Sequence, residues 1–228
     1  MRGLFLSFEG GEALGKSVQA ARLAESLEGG GRDVLLTREP GGTPFAERIR
    51  DVLLHAREVE LSPEAQALLF SAARAQHTRD VIRPALSAGR IVVADRFFDS
   101  TLAYQGYGYG ADLDGLRAMT RFAVGDLVPD RTFLIDAPVA VTLARLPARQ
   151  ARWDRFHGDD RAFYERVREG YLRLAAAEPE RFVVVDGDRS EDAVAADIRR
   201  QVDQLMASRP GDGSRVAKGE RERARPPR

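Results

Sequence analysis

Apolar residues recur along this chain with two different periods. Short unbroken runs at Leu4–Glu9, Val34–Thr37, Ile91–Asp95, Arg131–Asp136 and Phe182–Asp186 read as strands, and their continuity suits strands covered on both faces. Between them the spacing turns helical. Val18, Ala21, Leu23, Ala24 and Leu27 form a stripe over Ser17–Leu27 that stops at Gly29-Gly-Gly31. A helix is predicted over Phe45–Leu54. Ser62-Pro63-Glu64 supplies an N-cap, a proline at the first helical position and an early acid for another, which runs to at least His77 with a break before Pro84. Further helices are predicted near residues 114–124, 139–146, 160–176 and 190–206. This alternation predicts an α/β fold, a three-layer sandwich around a five-stranded parallel sheet.

The chain has 228 residues, 43% of them hydrophobic and 31% charged, which is ordinary for a folded domain. With no cysteine there is no disulfide scaffold, thiol catalysis or cysteine metal site, and three scattered histidines argue against a histidine-rich one. No apolar run approaches the roughly 18 residues a bilayer span needs. The first acid, Glu9, arrives too early for a signal-peptide core, so a cytoplasmic protein without a membrane partner is expected. Basic and acidic residues balance at 35 each, and no basic field calls for nucleic acid. Residues 208–228 break that balance: they are basic, rich in Arg, Gly and Pro, and read as a disordered tail. All the positive residues except Lys16 and Lys218 are arginine.

That bias sharpens the main motif. Gly10-Gly11-Glu12-Ala13-Leu14-Gly15-Lys16-Ser17 fits G-x-x-x-x-G-K-[ST] and lies between the first strand and the first helix, where a phosphate-binding loop belongs. Its amides and the helix N-terminus suit phosphate oxygens, Lys16 the β/γ-phosphates and the Ser17 hydroxyl a Mg²⁺ ion, with Val18 next in line. The reading is an ATP site in a fold of the P-loop NTPase type. Ala13 stands where such loops often carry glycine; if the position needs positive φ, alanine costs about 1 kcal/mol. Asp95, ending an apolar strand, suits a second metal ligand, although taken alone it fits a turn or cap residue better.

Asp95-Arg-Phe-Phe-Asp-Ser-Thr-Leu-Ala-Tyr-Gln-Gly106 is more specific. With Phe8-Glu-Gly-Gly-Glu12, Thr37-Arg-Glu-Pro-Gly-Gly-Thr43, Leu69–His77, Trp153-Asp-Arg155 and Val167–Leu172, it resembles the thymidylate kinase family over about residues 3–206, in order. The resemblance implies a single domain over residues 1–207 that phosphorylates dTMP from ATP, with a lid around 146–160, and usually a homodimer packed through helices. It implies that Glu12 contacts the deoxyribose 3′-hydroxyl, Arg38 and Arg96 clamp the dTMP phosphate, and Phe70 stacks on thymine. Arg74, Ser100 and Gln105 would read the base, Tyr104 would disfavour a 2′-hydroxyl, and Asp95 would help hold Mg²⁺. Taken singly, Phe70 is also a plain core residue, Arg38 a turn cap and Arg74 a solvated helix charge; only their joint order favours the functional readings. The chain departs from the family pattern at Ala13, Leu14, Val18, Phe97 and His157. It departs also at Ala73, where an acid usually precedes the helix arginine, which would loosen Arg74.

The acceptor phosphate is already anionic at pH 7, so no general base is required. What remains is to neutralise two anions brought in line. The interior of the phosphate loop holds no arginine, so the closing cation is sought in Ala148-Arg-Gln-Ala-Arg-Trp-Asp-Arg155: Arg149 first, Arg152 second, with Arg155 as support. A solvated basic loop is the plain alternative. Two other readings stay open: a kinase for another pyrimidine monophosphate, or a nucleotide-binding module with weakened catalysis.

Overall fold

A computed structural model describes residues 2–55, 60–146 and 161–209. The five apolar runs form one parallel sheet in the spatial order β2 (Val34–Arg38), β3 (Ile91–Asp95), β1 (Phe5–Gly10), β4 (Arg131–Asp136), β5 (Phe182–Asp186). Alternate residues of each strand feed two cores. Leu6, Phe8, Val93, Phe133 and Ile135 pack under α1 (Lys16–Gly29) and α9 (Glu191–Ser208). Phe5, Val92, Ala94 and Leu134 face the other way, toward α3 (Pro63–His77), α6 (Leu113–Val124) and α8 (Arg161–Ala177). The three-layer sandwich is as expected, and covering on both faces explains why the strands carry no polar alternation. Outside it, α2 (Pro44–His55) lies on α3 through Ala46, Ile49, Leu53 and Ala73.

Ser62 caps α3, its hydroxyl accepting the Ala65 N–H, and Pro63 opens the helix as the sequence pattern predicts. The expected break before Pro84 does not occur. The helix widens into a π-turn at Thr78–Ile82 and resumes as α4 (Arg83–Ser87), the Arg83 N–H reaching back to Thr78 O. Proline has no N–H to give and its ring crowds the carbonyl four residues back; a wider turn lets the helix pass it. A second π segment, Leu102–Gly108, extends α5 (Phe98–Thr101), a stretch legible in sequence only as a motif. The remaining helix, α7 (Val139–Arg145), precedes the expected lid. Past Leu146 that lid, with Arg149, Arg152, Arg155 and His157, lies outside the described residues. So does the basic tail beyond Arg209, α9 continuing one residue into the segment read as tail.

Connectivity places the chemistry. The chain leaves β1 toward β2, returns to β3 beside β1, then crosses to β4, so the crevice at the carboxyl ends of the central strands is where such sheets bind ligands. Register sets Phe8, Asp95 and Arg38 level across three strands at that edge. A buried ion pair, Arg181 to Asp99 at 2.6 Å under the Phe182 ring, fastens α5 to the start of β5. No described helix is long and apolar enough to cross a membrane.

Candidate active site

The loop after β1 needs unusual backbone. Gly10 turns at φ 135°, and a Cβ there would stand 2.2 Å from Ile135 O, so only glycine fits. Ala13 does adopt positive φ, 54°, as the loop reading anticipated. Leu14 turns its side chain into the core and leaves its backbone to the loop. Lys16 is buried and folds over to Gly11 O. Burial, then the Arg96 charge, pulls its pKa down to about 8. Ser17 Oγ donates to Asp95 at the end of β3, so the two expected metal ligands touch.

One cavity of about 590 Å³ opens beside this loop. It brings together Glu12, Ala13, Gly15, Lys16, Ser17 and Val18 with Arg38, Phe70, Arg74, Asp95, Arg96, Ser100, Tyr104 and Gln105. Gly10, Gly11 and Leu14 lie behind it, against β4. The other missing predicted residues are Arg149 and Arg152, which are not described.

Arg96 is the best anchored of the cations. It sits at φ 70°, a conformation rare for a side-chain-bearing residue. Its Nη2 donates to Glu12 Oε1 at 2.7 Å and Tyr104 OH at 3.3 Å, and Nη1 to Gly10 O, Ser100 Oγ and Tyr171 OH. Burial opposes its charge, yet Tyr104, Glu12 and their neighbours outweigh it and keep the guanidinium protonated. Arg38, by contrast, is half exposed at the rim and paired with Glu47 at 2.9 Å.

Arg74 is not a solvated charge: its side chain is 2% exposed. Glu39 accepts its Nε at 2.7 Å, Phe97 O and Thr101 Oγ1 accept Nη2, and Nη1 is buried without a partner. The absence of an acid at Ala73 therefore does not loosen it, because Glu39 in the β2–α2 loop does that work and also accepts from His77 Nδ1 at 3.0 Å. Sequence reasoning missed Glu39 as the partner, although it adjoins Arg38 in the same motif. It missed Arg50, which lines the cavity and donates to Pro40 O at 2.9 Å, and Gln66, which shares a helical face with Phe70 and Arg74 at four-residue spacing. Glu9 was missed as well. Fully buried at the end of β1, it accepts from Phe97 N–H at 2.8 Å, Ser100 Oγ at 2.6 Å and Tyr171 OH at 3.0 Å. Burial, then the Asp99 charge, pushes its carboxyl up to about 7.

A loop of the phosphate-binding pattern and an arginine-walled recess share one cavity. That arrangement belongs to the P-loop kinases that act on small phosphate acceptors. A model of the thymidylate kinase family matches residues 8–198. The chain is 50% identical over 206 residues to a thymidylate kinase of Pseudomonas fluorescens (strain Pf-5), covering 90% of this chain and 96% of that one. It is 45% identical over 208 residues to the Clavibacter sepedonicus thymidylate kinase, covering 91% and 98%. The crystal structure of thymidylate kinase from Ehrlichia chaffeensis matches with a TM-score of 0.73 at 34% identity, over 89% of this chain and all of that one. The chain belongs to the thymidylate kinase family.

Two stability measurements follow from the site. Ala13→Gly relieves the left-handed strain and should stabilise the protein by about 1 kcal/mol, raising Tm by roughly 2–4 °C; a lower Tm would mean that the loop accepts alanine without strain. Glu9 holds its proton in the fold up to about pH 7, against 4.5 for an ordinary glutamate. Its contribution to stability is thus full below about pH 4.5 and lost as pH rises through 7. Glu9→Gln stays neutral, so its Tm relative to the parent should be higher at pH 8 than at pH 5.5. A difference that does not move with pH would show that Glu9 ionises normally.

Proposed function

We propose that this chain moves the γ-phosphoryl group of ATP onto dTMP, giving dTDP and ADP for dTTP synthesis, with Mg²⁺ at Ser17 and Asp95 and a lid arginine completing the site. The observation that carries the reading is the shared cavity, which the phosphate loop, Arg38, Arg96 and Phe70 line together.

The amides of residues 10–18 and the Lys16 ammonium are suited to the donor phosphates, Lys16 swinging off Gly11 O to meet them. A hydroxyl and a carboxylate in contact are hard oxygen donors of the kind Mg²⁺ prefers. Among the described residues no group of three or more acidic, histidine or cysteine side chains forms a cage, which fits an ion held mainly by substrate phosphates and water. Bound there, Mg²⁺ neutralises charge on the transferring phosphoryl group. Arg96 offers a half-buried, permanently charged fork for the acceptor phosphate, and Arg38 can exchange Glu47 for it at little cost, exposed pairs being worth about 0–1 kcal/mol. Phe70 provides a face for thymine, with Arg74, Ser100 and Gln105 around it. Glu12 and Tyr104, joined at 2.8 Å, meet the sugar. Nothing here abstracts a proton, and none needs abstracting. Arg149, backed by Arg152, is proposed to enter when the lid over residues 146–160 closes, stabilising the transition state and excluding water.

Residues 1–207 act as one domain, residues 208–228 as a basic appendage, and the cytoplasm is the proposed compartment. A homodimer is supported by the outer face of α2, α3 and α6, where Phe45, Val52, Leu68 (61% exposed) and Phe122 (95% exposed) stand open on adjoining helices.

In a coupled assay with ATP, Mg²⁺ and dTMP, ADP release should depend on dTMP. Arg149→Ala should lower kcat about 10³-fold while leaving dTMP affinity nearly unchanged. An unaltered kcat removes Arg149 from the mechanism, and nucleotide binding without dTMP-dependent ADP release favours a binding module. Sedimentation should find a dimer that Phe122→Asp converts to monomer; a monomeric parent rejects the homodimer.

A further inference from the structure

Two buried amides at the floor of the cavity have only one way to face. Gln66, on α3, directs Nε2 at Leu61 O at 3.0 Å. A backbone carbonyl only accepts, so the end of Gln66 beside Leu61 is the NH₂ end and its oxygen is the end turned to Gln105. Gln105 Nε2 then donates to Gln66 Oε1 at 3.1 Å, a buried contact. Both donor and acceptor ends of Gln66 are used, and Gln105 is left with Oε1 for the cavity it lines. Turning Gln105 over alone would set two buried carbonyl oxygens against each other. Turning both would set Gln66 Oε1 against Leu61 O. The polarity of Gln105 is thus anchored, through Gln66, on a main-chain atom outside the helix.

Arg74, which lines the same cavity, carries the opposite sign. Glu39, Phe97 O and Thr101 occupy its Nε and Nη2, leaving Nη1 as a buried donor with no partner. One fixed donor and one fixed acceptor match a pyrimidine edge with a 4-oxo group and an N3–H. They mismatch at both points a 4-amino pyrimidine, whose N4 donates and whose N3 accepts.

We infer that Gln66 is a specificity-determining positioning residue: by fixing which end of the Gln105 amide faces the base, it makes the site choose a 4-oxo over a 4-amino pyrimidine monophosphate. This rests on the proposed placement of the base against Phe70, Arg74 and Gln105. It assigns Gln66 no contact with substrate. Its effect passes through Gln105.

The test compares kcat/KM for dTMP, dUMP and dCMP in the full-length chain. Gln66→Met keeps the length of the side chain but removes the acceptor. Gln105 then turns freely, and the dTMP:dCMP ratio of kcat/KM should fall at least about tenfold. The dTMP:dUMP ratio should hold, because those bases share the edge. Gln66→Glu should retain the parent ratio, since the buried, neutral acid donates its O–H to Leu61 O and its carbonyl oxygen still accepts from Gln105. A merely structural role would raise KM for all three nucleotides together and leave the ratios alone. An unchanged dTMP:dCMP ratio in Gln66→Met, or a lost ratio in Gln66→Glu, overturns the inference. Gln105→Met separates the two readings. If its ratio collapses while that of Gln66→Met does not, only the role of Gln66 falls. If its ratio is unchanged, the placement of the base falls and the inference with it. Should Gln66→Met not fold, Gln66→Ala is judged by the same criteria.

Discussion

A carboxyl group closed off from solvent holds the reacting end of this molecule together. Glu9, at the end of the central strand, receives hydrogen bonds from the backbone after β3, from Ser100 on α5 and from Tyr171 on α8. Those donors are themselves buried or half-buried, and an unmade bond at any of them would carry a desolvation cost of about 1–3 kcal/mol. The three segments are therefore held in one arrangement. Arg96 depends on it most. Its left-handed backbone, a strain on the order of 1–3 kcal/mol, persists because the Arg96 N–H is tied to Phe8 O and the next N–H to Glu9.

The cations around the cavity are prepared to different degrees. Arg74 is buried and Arg96 half-buried, and both are held by several hydrogen bonds, so in the proposed roles they need little further ordering, the condition under which fixed charges act most strongly on a phosphoryl group. Lys16 and Arg38 are parked, one on a loop carbonyl and the other on Glu47. Nearly every positive charge in this protein is a planar fork, suited to holding an oxyanion in a fixed plane. Lys16 is instead a flexible point charge, the form its proposed role toward the donor phosphates calls for.

The departures from the family pattern are absorbed in different ways. Ala13 takes the backbone shape its position demands and keeps the strain. Ala73 packs into the contact between α2 and α3, and Glu39, from a different element, supplies the carboxylate that Arg74 requires. Phe97, where a hydroxyl is common, is fully buried, edge-on to Phe5 and beneath the Arg74 guanidinium at 5.7 Å. A hydroxyl would have to find a partner there; the phenyl ring does not.

The five strands, the cap at Ser62 and the phosphate loop were legible in the chain because each is decided locally: by two-sided burial, by a side chain reaching its own helix end, by glycines at fixed spacing. The cavity residues named from motif order do converge, because a parallel sheet with this connectivity sends its strand ends to one edge. What local pattern could not supply was partnership. Whether Arg74 is solvated or buried depends on Glu39, 35 positions earlier. The helical path continues past Pro84 through a π-turn, where the residue pattern had suggested a break. Which end of Gln105 faces the cavity depends on Gln66 and, behind it, a backbone carbonyl. The sequence by itself determined the elements and the chemical types at the site. Tertiary structure decided which donor meets which acceptor, because hydrogen-bond polarity and burial are properties of neighbours in space.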